Sequence, residues 1–274
     1  MRPDPSSVSS PQRVKPAPTL AAAVLALLLA GAATPCAAAP LQLDSLTWPE
    51  VREAVHGGST TILIPIGGTE QNGPHMALGK HNVRVARLAE RIATQLGHTL
   101  VAPVVAYVPE PAGHMRFPGT ISVSPEAFTG VLAGAARSLR QHGFRDIVLL
   151  GDSGDYQPLL RQLSERLNRE WAGSGARVHH AAAYYQAAAT DYPQLLRAEG
   201  MSQAQVGTHA GLADTSLMLA VDASLVRMQR LGEASPQTGV AGDPSLASAA
   251  LGQKGVDLIV DKAVAAIRQS LARR

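Results

Sequence analysis

The sequence predicts an α/β protein with one three-layer αβα domain built on a mainly parallel sheet. Two nearly continuous apolar runs, residues 61–67 and 146–151, are typical of strands that are buried on both faces. Amphipathic helical patterns at 83–96 and 125–141 stand between the strand candidates. Strands that alternate with helices favour βαβ units, in which helices cover both faces of a parallel sheet.

The individual elements follow in order along the chain. Strands are predicted at 61–67, 99–106, 146–151 and 177–184. The helix at 125–141 follows Ser124, a good N-cap residue, and a last amphipathic helix is predicted at 256–267. The Gly-, Pro- and Ser-rich stretch 232–248 is interpreted as an ordered loop or lid. No repeat or linker divides residues 40–274, which are therefore predicted to form one domain.

Residues 1–39 have the pattern of a secretory signal peptide. Three basic residues precede an apolar run of thirteen residues, 20–32, and small residues follow at 37–39. The run is shorter than the roughly 20 residues of a transmembrane helix, so no stable membrane anchor is expected. The protein is predicted to be secreted or periplasmic after cleavage. An uncleaved anchor and lipidation at Cys36 are the alternatives.

Composition argues against nucleic-acid binding and against a function that depends on cysteine. The chain has 24 basic and 21 acidic residues; removing 1–39 takes away three basic residues and one acid and leaves a net charge of +1. No Lys/Arg cluster remains, so a nucleic-acid partner is not expected. Cys36 is the chain's one cysteine, so the mature protein is predicted to lack disulfides and cysteine ligands.

Polar side chains follow the first and third strand candidates. Glu70, Asn72, His75 and His81 lie between the first strand and the next helix. Ligands of open α/β sheets bind at the carboxyl ends of the strands. Carboxylates and imidazoles gathered there are the groups that a hydrolytic metal site needs.

Structural alternatives exist for these residues. Glu70 at a strand end is equally consistent with a helix cap or a salt bridge. Asp152 and Asp155, after the third strand, are equally consistent with caps for a helix that starts at residue 156. His75 is equally consistent with a purely structural hydrogen-bonding role.

Four segments resemble motifs of the creatininase (creatinine amidohydrolase) family. The loop G-G-T-E-Q-N-G-P-H-M-A-L-G-K-H resembles the family's G-S-x-E-Q-H-G-P-H-L-P-x-G-T-D. The segments 114–122, 141–146 and 208–216 resemble H-x-x-F-P-G-T-I-S, H-G-F-x-x-I and G-H-A-G-x-x-E-T-S. The resemblance implies an αβα fold, metal-dependent hydrolysis of a small cyclic or linear amide, and a homo-oligomer, in this family typically a hexamer.

The chain departs from the family at ligand positions. Asn72 replaces the His of E-Q-H, His81 replaces the Asp of G-T-D, Asp152 replaces a ligand His, and Gly154 stands where some members have Glu. The exchange at 81 and 152 keeps one imidazole and one carboxylate. We therefore predict that Glu70, His81 and Asp152 bind one divalent ion rather than two, with Zn favoured and Mn possible. The additional candidate ligands are His75, Asp155, Asn72 and His114.

By the same resemblance, His209 and Asp214 are predicted to be catalytic. His209 would protonate the leaving nitrogen or hold the oxyanion, and Asp214 would orient it. The predicted function is metal-dependent amide hydrolysis. The alternative is an exported binding protein or a pseudoenzyme that kept the fold and lost the metal, and metal content distinguishes the two.

Overall fold

The structure, a computed structural model, describes residues 41–273. The predicted signal peptide and Cys36 lie outside these residues, so the predictions made for them stay predictions. Within 41–273 no helix is both long enough and apolar enough to cross a membrane.

Four parallel strands form the sheet. They are β1 (Thr61–Ile66), β2 (Thr99–Val101), β3 (Asp146–Gly151) and β4 (Arg177–His180), in the spatial order β2-β1-β3-β4. β1 and β3 are central neighbours in full register, from Thr61 opposite Asp146 to Ile66 opposite Gly151. The loops that leave these two strands therefore begin side by side.

Helices surround the sheet. They are α1 (Trp48–His56), α2 (Lys80–Leu96), α3 (Pro125–Gln141), α4 (Gln157–Glu170), α5 (Ala182–Gln186), α6 (Tyr192–Ala198), α7 (Gln203–Val206), α8 (Leu212–Asp222) and α9 (Ala249–Ala272). A π-helical segment, Ala187–Asp191, joins α5 to α6. Short 3-10 turns cover Leu43–Ser45, Ala112–Arg116, Ala223–Leu225, Met228–Glu233 and Pro236–Thr238.

Alternate strand residues face two separate hydrophobic layers. Ile62 and Ile147 pack with Phe128 of α3 and Leu160 of α4 on one face of the sheet. Leu63 and Val148 face the opposite layer, which α2, α8 and α9 supply. This arrangement confirms the predicted three-layer αβα domain with a parallel sheet.

Some element boundaries differ from the prediction. β2 ends at Val101, before Pro103. Beyond it the chain contacts β1 through the hydrogen bond from Ala102 N to the carbonyl oxygen of Leu63 and through the bridge between Ile66 and Val105. β4 ends at His180, because the alanine-rich chain that follows turns into helix α5. The predicted cap is confirmed, since Ser124 Oγ accepts from Ala127 N at 3.2 Å.

Helix α2 begins at Lys80, earlier than the predicted residue 83. Lys80, His81 and Arg84 consequently lie in its first turns, and all three are buried. The start of α2 faces the carboxyl ends of β1 and β3, and the earlier start adds Lys80 and His81 to the helix that carries Arg84.

Candidate metal centre

Glu70 is the residue at which the histidines of the site meet. It lies in the loop after β1 and is 2% exposed. Its Oε2 is 2.7 Å from His114 Nδ1, and its Oε1 is 2.7 Å from His81 Nε2 and 3.9 Å from His209 Nδ1. Burial alone would raise the pKa of Glu70, but hydrogen bonds from His114 and His81 hold it below its ordinary value. Glu70 is therefore an anion surrounded by imidazoles.

Glu70, His114 and His209 form a group that could hold a metal ion. One ligating atom of each residue lies within 4.8 Å of the other two. The centroids of the two imidazole rings are 4.7 Å apart. One carboxylate and two imidazoles, with a fourth position left open, is a donor set used by catalytic zinc sites.

His209 is oriented with its Nδ1 towards Glu70. Its Nε2 lies 3.0 Å from both the carbonyl oxygen and the side-chain amide nitrogen of Gln71, and its Nδ1 lies 3.9 Å from Glu70 Oε1. Gln71 therefore holds the ring through Nε2 and leaves Nδ1 on the side of Glu70. Burial, together with the charge of Lys80, lowers the pKa of His209 to about 4. The ring is therefore neutral at pH 7.

His81 lies between two carboxylates. Its Nε2 is 2.7 Å from Glu70 Oε1 and its Nδ1 is 2.6 Å from Asp152 Oδ2. Glu70, His81 and Asp152 thus converge, with the imidazole hydrogen-bonded to a carboxylate on each side. With both ring nitrogens hydrogen-bonded, His81 has no lone pair to offer. The ligand roles of His81 and Asp152 stay predictions, and the contacts favour His114 and His209 beside Glu70.

Asp152 is saturated by protein donors. Arg84 Nε and Nη2 approach its Oδ2 at 2.9 Å, and the Tyr184 hydroxyl donates to its Oδ1 at 2.5 Å. Burial would raise the pKa of this carboxyl, but the charge of Arg84 and the hydrogen bond from His81 hold it below its ordinary value. In this arrangement Asp152 holds His81 and Arg84 in place.

Asp214 supports the loop that carries His209. Its carboxylate pairs with Lys80 Nζ and with Arg84 Nη1, each at 2.9 Å. It also accepts from the backbone N–H of Ala210 at 2.9 Å. Ala210 has a φ of 55°, a left-handed conformation that is unfavourable for alanine. Asp214 therefore fixes the backbone next to His209, which fits its predicted orienting role.

The remaining candidates occupy three different positions. Asn72 donates to the carbonyl of Glu70 at 2.9 Å and braces the loop. His75 is fully buried, and its Nε2 lies 2.9 Å from Thr215 Oγ1, outside the cavity wall. Asp155 lines the cavity, and burial together with the charge of Glu70 raises its pKa.

A cavity of about 460 Å³ opens beside the group. Glu70, His114 and His209 line one part of it. Tyr185 of α5 lines another part, and its hydroxyl occupies the space that a side chain at Gly154 would need. A glutamate at the position of Gly154 would therefore require Tyr185 to move.

Sequence reasoning did not identify Lys80, Arg84 and Tyr184. The signal for the first two was helical spacing, since charged residues at i and i+4 on the buried face of a helix need partners inside. The predicted start of α2 at residue 83 excluded Lys80 from that face. Tyr184 was assigned to a strand, so its contact with Asp152 could not be anticipated.

The pKa shifts predict an acid-sensitive fold. Burial would raise the pKa values of Asp152 and Asp214, but the charges of Arg84 and Lys80 hold both below the ordinary 3.8. The contribution of these carboxylates to stability is therefore complete above about pH 4 and is lost as the pH falls through the lowered folded-state values. Urea midpoints of the metal-free protein between pH 7 and pH 2.5 should fall most steeply below pH 4, with a shallower fall in Asp152→Asn. An equal slope in both proteins would contradict the assignment.

Comparison with known proteins gives a consistent answer. The family model of creatinine amidohydrolase, named Creatininase, matches residues 44–267. Creatinine amidohydrolase of Pseudomonas putida is 28% identical over 203 residues, which are 72% of this chain and 77% of that protein. The chain belongs to the creatininase family. The family resemblance found in the sequence is thereby confirmed, and the class is that of hydrolases acting on carbon–nitrogen bonds.

Other creatininase-family proteins are similar over most of the chain. The mycofactocin precursor peptide peptidase of Mycobacterium tuberculosis is 29% identical over 242 residues, 75% of this chain and 84% of that protein. A solved structure described as creatininase with Mn superposes with a TM-score of 0.72 at 26% identity, covering 84% of this chain and 98% of the other. Another, a mutant creatininase of Zn-Zn type, has a TM-score of 0.70 at 25% identity over the same shares.

Proposed function

We propose that this protein hydrolyses a carbon–nitrogen bond of a small cyclic or linear amide with one divalent metal ion held by Glu70, His114 and His209. The observation that carries the proposal is the grouping of these three side chains on the wall of one cavity. Structures of relatives described with Mn and with Zn support either metal. When bound, the ion would polarise the amide carbonyl and lower the pKa of a water from 15.7 towards about 7.

The charges around the group favour one ion over two. Asp152 and Asp214 are neutralised by Arg84 and Lys80, whose side chains are 3% and 1% exposed. A second dication near these fixed cations would meet repulsion in a medium of low dielectric. Among the described residues that line the cavity, Glu70 is thus left as the buried carboxylate that no lysine or arginine pairs with.

Asp155 is suited to move the proton of the reaction. Its carboxylate lines the cavity, and its raised pKa brings it closer to the working pH than an ordinary aspartate. Asp155 would accept a proton from the attacking water and deliver it to the leaving nitrogen. His209, as a ligand, would then not be the proton donor that the sequence suggested.

Export and self-association belong to the same proposal. The basic, apolar and small-residue pattern of residues 1–39 supports cleavage and a secreted or periplasmic location. The family resemblance supports a homo-oligomer, a hexamer as in other members. Neither a nucleic-acid partner nor a membrane anchor is expected.

Metal content and hydrolysis measured on the same preparation test the function. Protein purified without chelator should contain about one Zn or Mn per chain by elemental analysis. It should release product from at least one member of a panel holding creatinine, hydantoin and N-acetylated amino acids. Chelation should abolish turnover, and added Zn or Mn should restore it. A folded protein that binds no metal and turns over no amide would instead support the binding-protein alternative.

A further inference from the structure

The cavity has a second wall that the reaction does not use. It is formed by the π-helical segment Ala187–Asp191 together with α6 and α7. Thr190, Gln194, Arg197 and Gln203 contribute side chains to it. π-Helical turns are rare and are frequently found at functional sites. A wall of hydroxyl, amide and guanidinium groups offers hydrogen-bond donors to whatever occupies the cavity.

Arg197 stands apart from the other cations of the cavity. Lys80 and Arg84 are locked in ion pairs with Asp214 and Asp152. Among residues 41–273, Arg197 has no acidic partner within ion-pair distance, and its Nη1 donates to Gln203 Oε1 at 3.0 Å. Arg197 is exposed, and that bond to Gln203 of α7 uses one of the five N–H donors of its guanidinium. The other donors are free for a ligand.

The acidic groups of the cavity leave Arg197 without a partner. Asp155 lines the cavity together with Glu70, His114 and His209. Asp214 is occupied by Lys80 and Arg84. The lining that holds the metal group therefore also holds one cation, Arg197, that no carboxylate of the described residues neutralises.

We infer that the substrate is an amide that carries a carboxylate, and that Arg197 binds this carboxylate while the amide reaches the metal group. The inference rests on the proposed function. Guanidinium and carboxylate form charge-assisted, bidentate hydrogen bonds, which give both affinity and orientation. N-acylated amino acids and ureido acids are substrates of this class. Binding the carboxylate at the second wall positions the carbonyl at Glu70, His114 and His209.

A matched pair of probes tests this inference. Succinic monohydroxamate and butanehydroxamate both present a metal-binding hydroxamate on a four-carbon chain, and the first ends in a carboxylate where the second ends in a methyl group. Calorimetry on the metal-loaded protein should show at least about tenfold tighter binding of the charged probe. Arg197→Gln should remove this preference and leave the affinity for butanehydroxamate unchanged, while Arg197→Lys should keep part of it. Arg166→Gln, an exposed arginine of α4 outside this cavity, should behave as the unchanged protein.

The outcomes separate the inference from the function it rests on. Equal affinities of both probes in a protein that binds metal would overturn the carboxylate subsite and leave the metal hydrolase standing. A preference that survives in Arg197→Gln would overturn the role of Arg197. Absence of both metal and probe binding would overturn the proposed function and the inference together.

Discussion

Glu70→Gln is expected to abolish hydrolysis and to weaken metal binding by more than about 100-fold. Loss of a residue that only supports a ligand weakens metal binding by up to about 100-fold, and loss of a ligand itself should weaken it more. The carboxylate of Glu70 accepts hydrogen bonds from His114 and His81 at 2.7 Å each, and it lies 3.9 Å from Nδ1 of His209. A neutral amide of the same shape keeps the packing but removes the anion that the ion and the imidazoles share. Turnover and metal affinity should be measured on the same sample.

The control for this variant is Glu165→Gln. Glu165 lies on α4 with its side chain 52% exposed, so its loss should change neither quantity. A Glu70→Gln protein that keeps full metal affinity would contradict any site centred on Glu70, including the one predicted from sequence.

Arg84→Met should cause a large loss of stability. Arg84 is 3% exposed and bridges Asp152 and Asp214, so its removal leaves two carboxylates without their shared cation. Removing one partner of a buried ion pair costs about 3–5 kcal/mol. Urea unfolding should report a decrease of this size.

Arg87→Met is the matched control on the same helix. Arg87 is 63% exposed and pairs with Glu90 at 3.8 Å, so its replacement should cost less than about 1 kcal/mol. Similar losses in both variants would show that the buried network is not what stabilises the start of α2.

The central strands were predictable because their signal is local. β1 and β3 are runs of Ile, Leu and Val buried on both faces, and β3 has the predicted bounds. β2 and β4 were predicted too long, because their continuations are apolar as well. β2 ends before a proline, and β4 ends where the alanines that follow it form helix α5. The apolar character of these segments does not show where either strand stops.

The position of the site was predictable, but its partners were not. Brändén's rule and the family motifs placed Glu70, His81, Asp152 and His209 at one end of the sheet. The hydrogen-bond partners of these side chains depend on the position of α2. Its buried first turns place Arg84 in an ion pair with Asp152 and Lys80 in an ion pair with Asp214. His114 joins Glu70 from a 3-10 turn more than forty residues away, a contact set by the fold rather than by any spacing.

Metal titration of four alanine variants tests the central claim most directly. His114→Ala and His209→Ala should each lose tight binding of Zn, whereas His81→Ala and Asn72→Ala should retain about one ion per chain. The reason is that His114 and His209 group with Glu70 and each has a ring nitrogen that is not hydrogen-bonded to a carboxylate, whereas both ring nitrogens of His81 are. Loss of the ion in His81→Ala, with binding retained in His114→Ala and His209→Ala, would contradict this account and favour the set Glu70, His81 and Asp152.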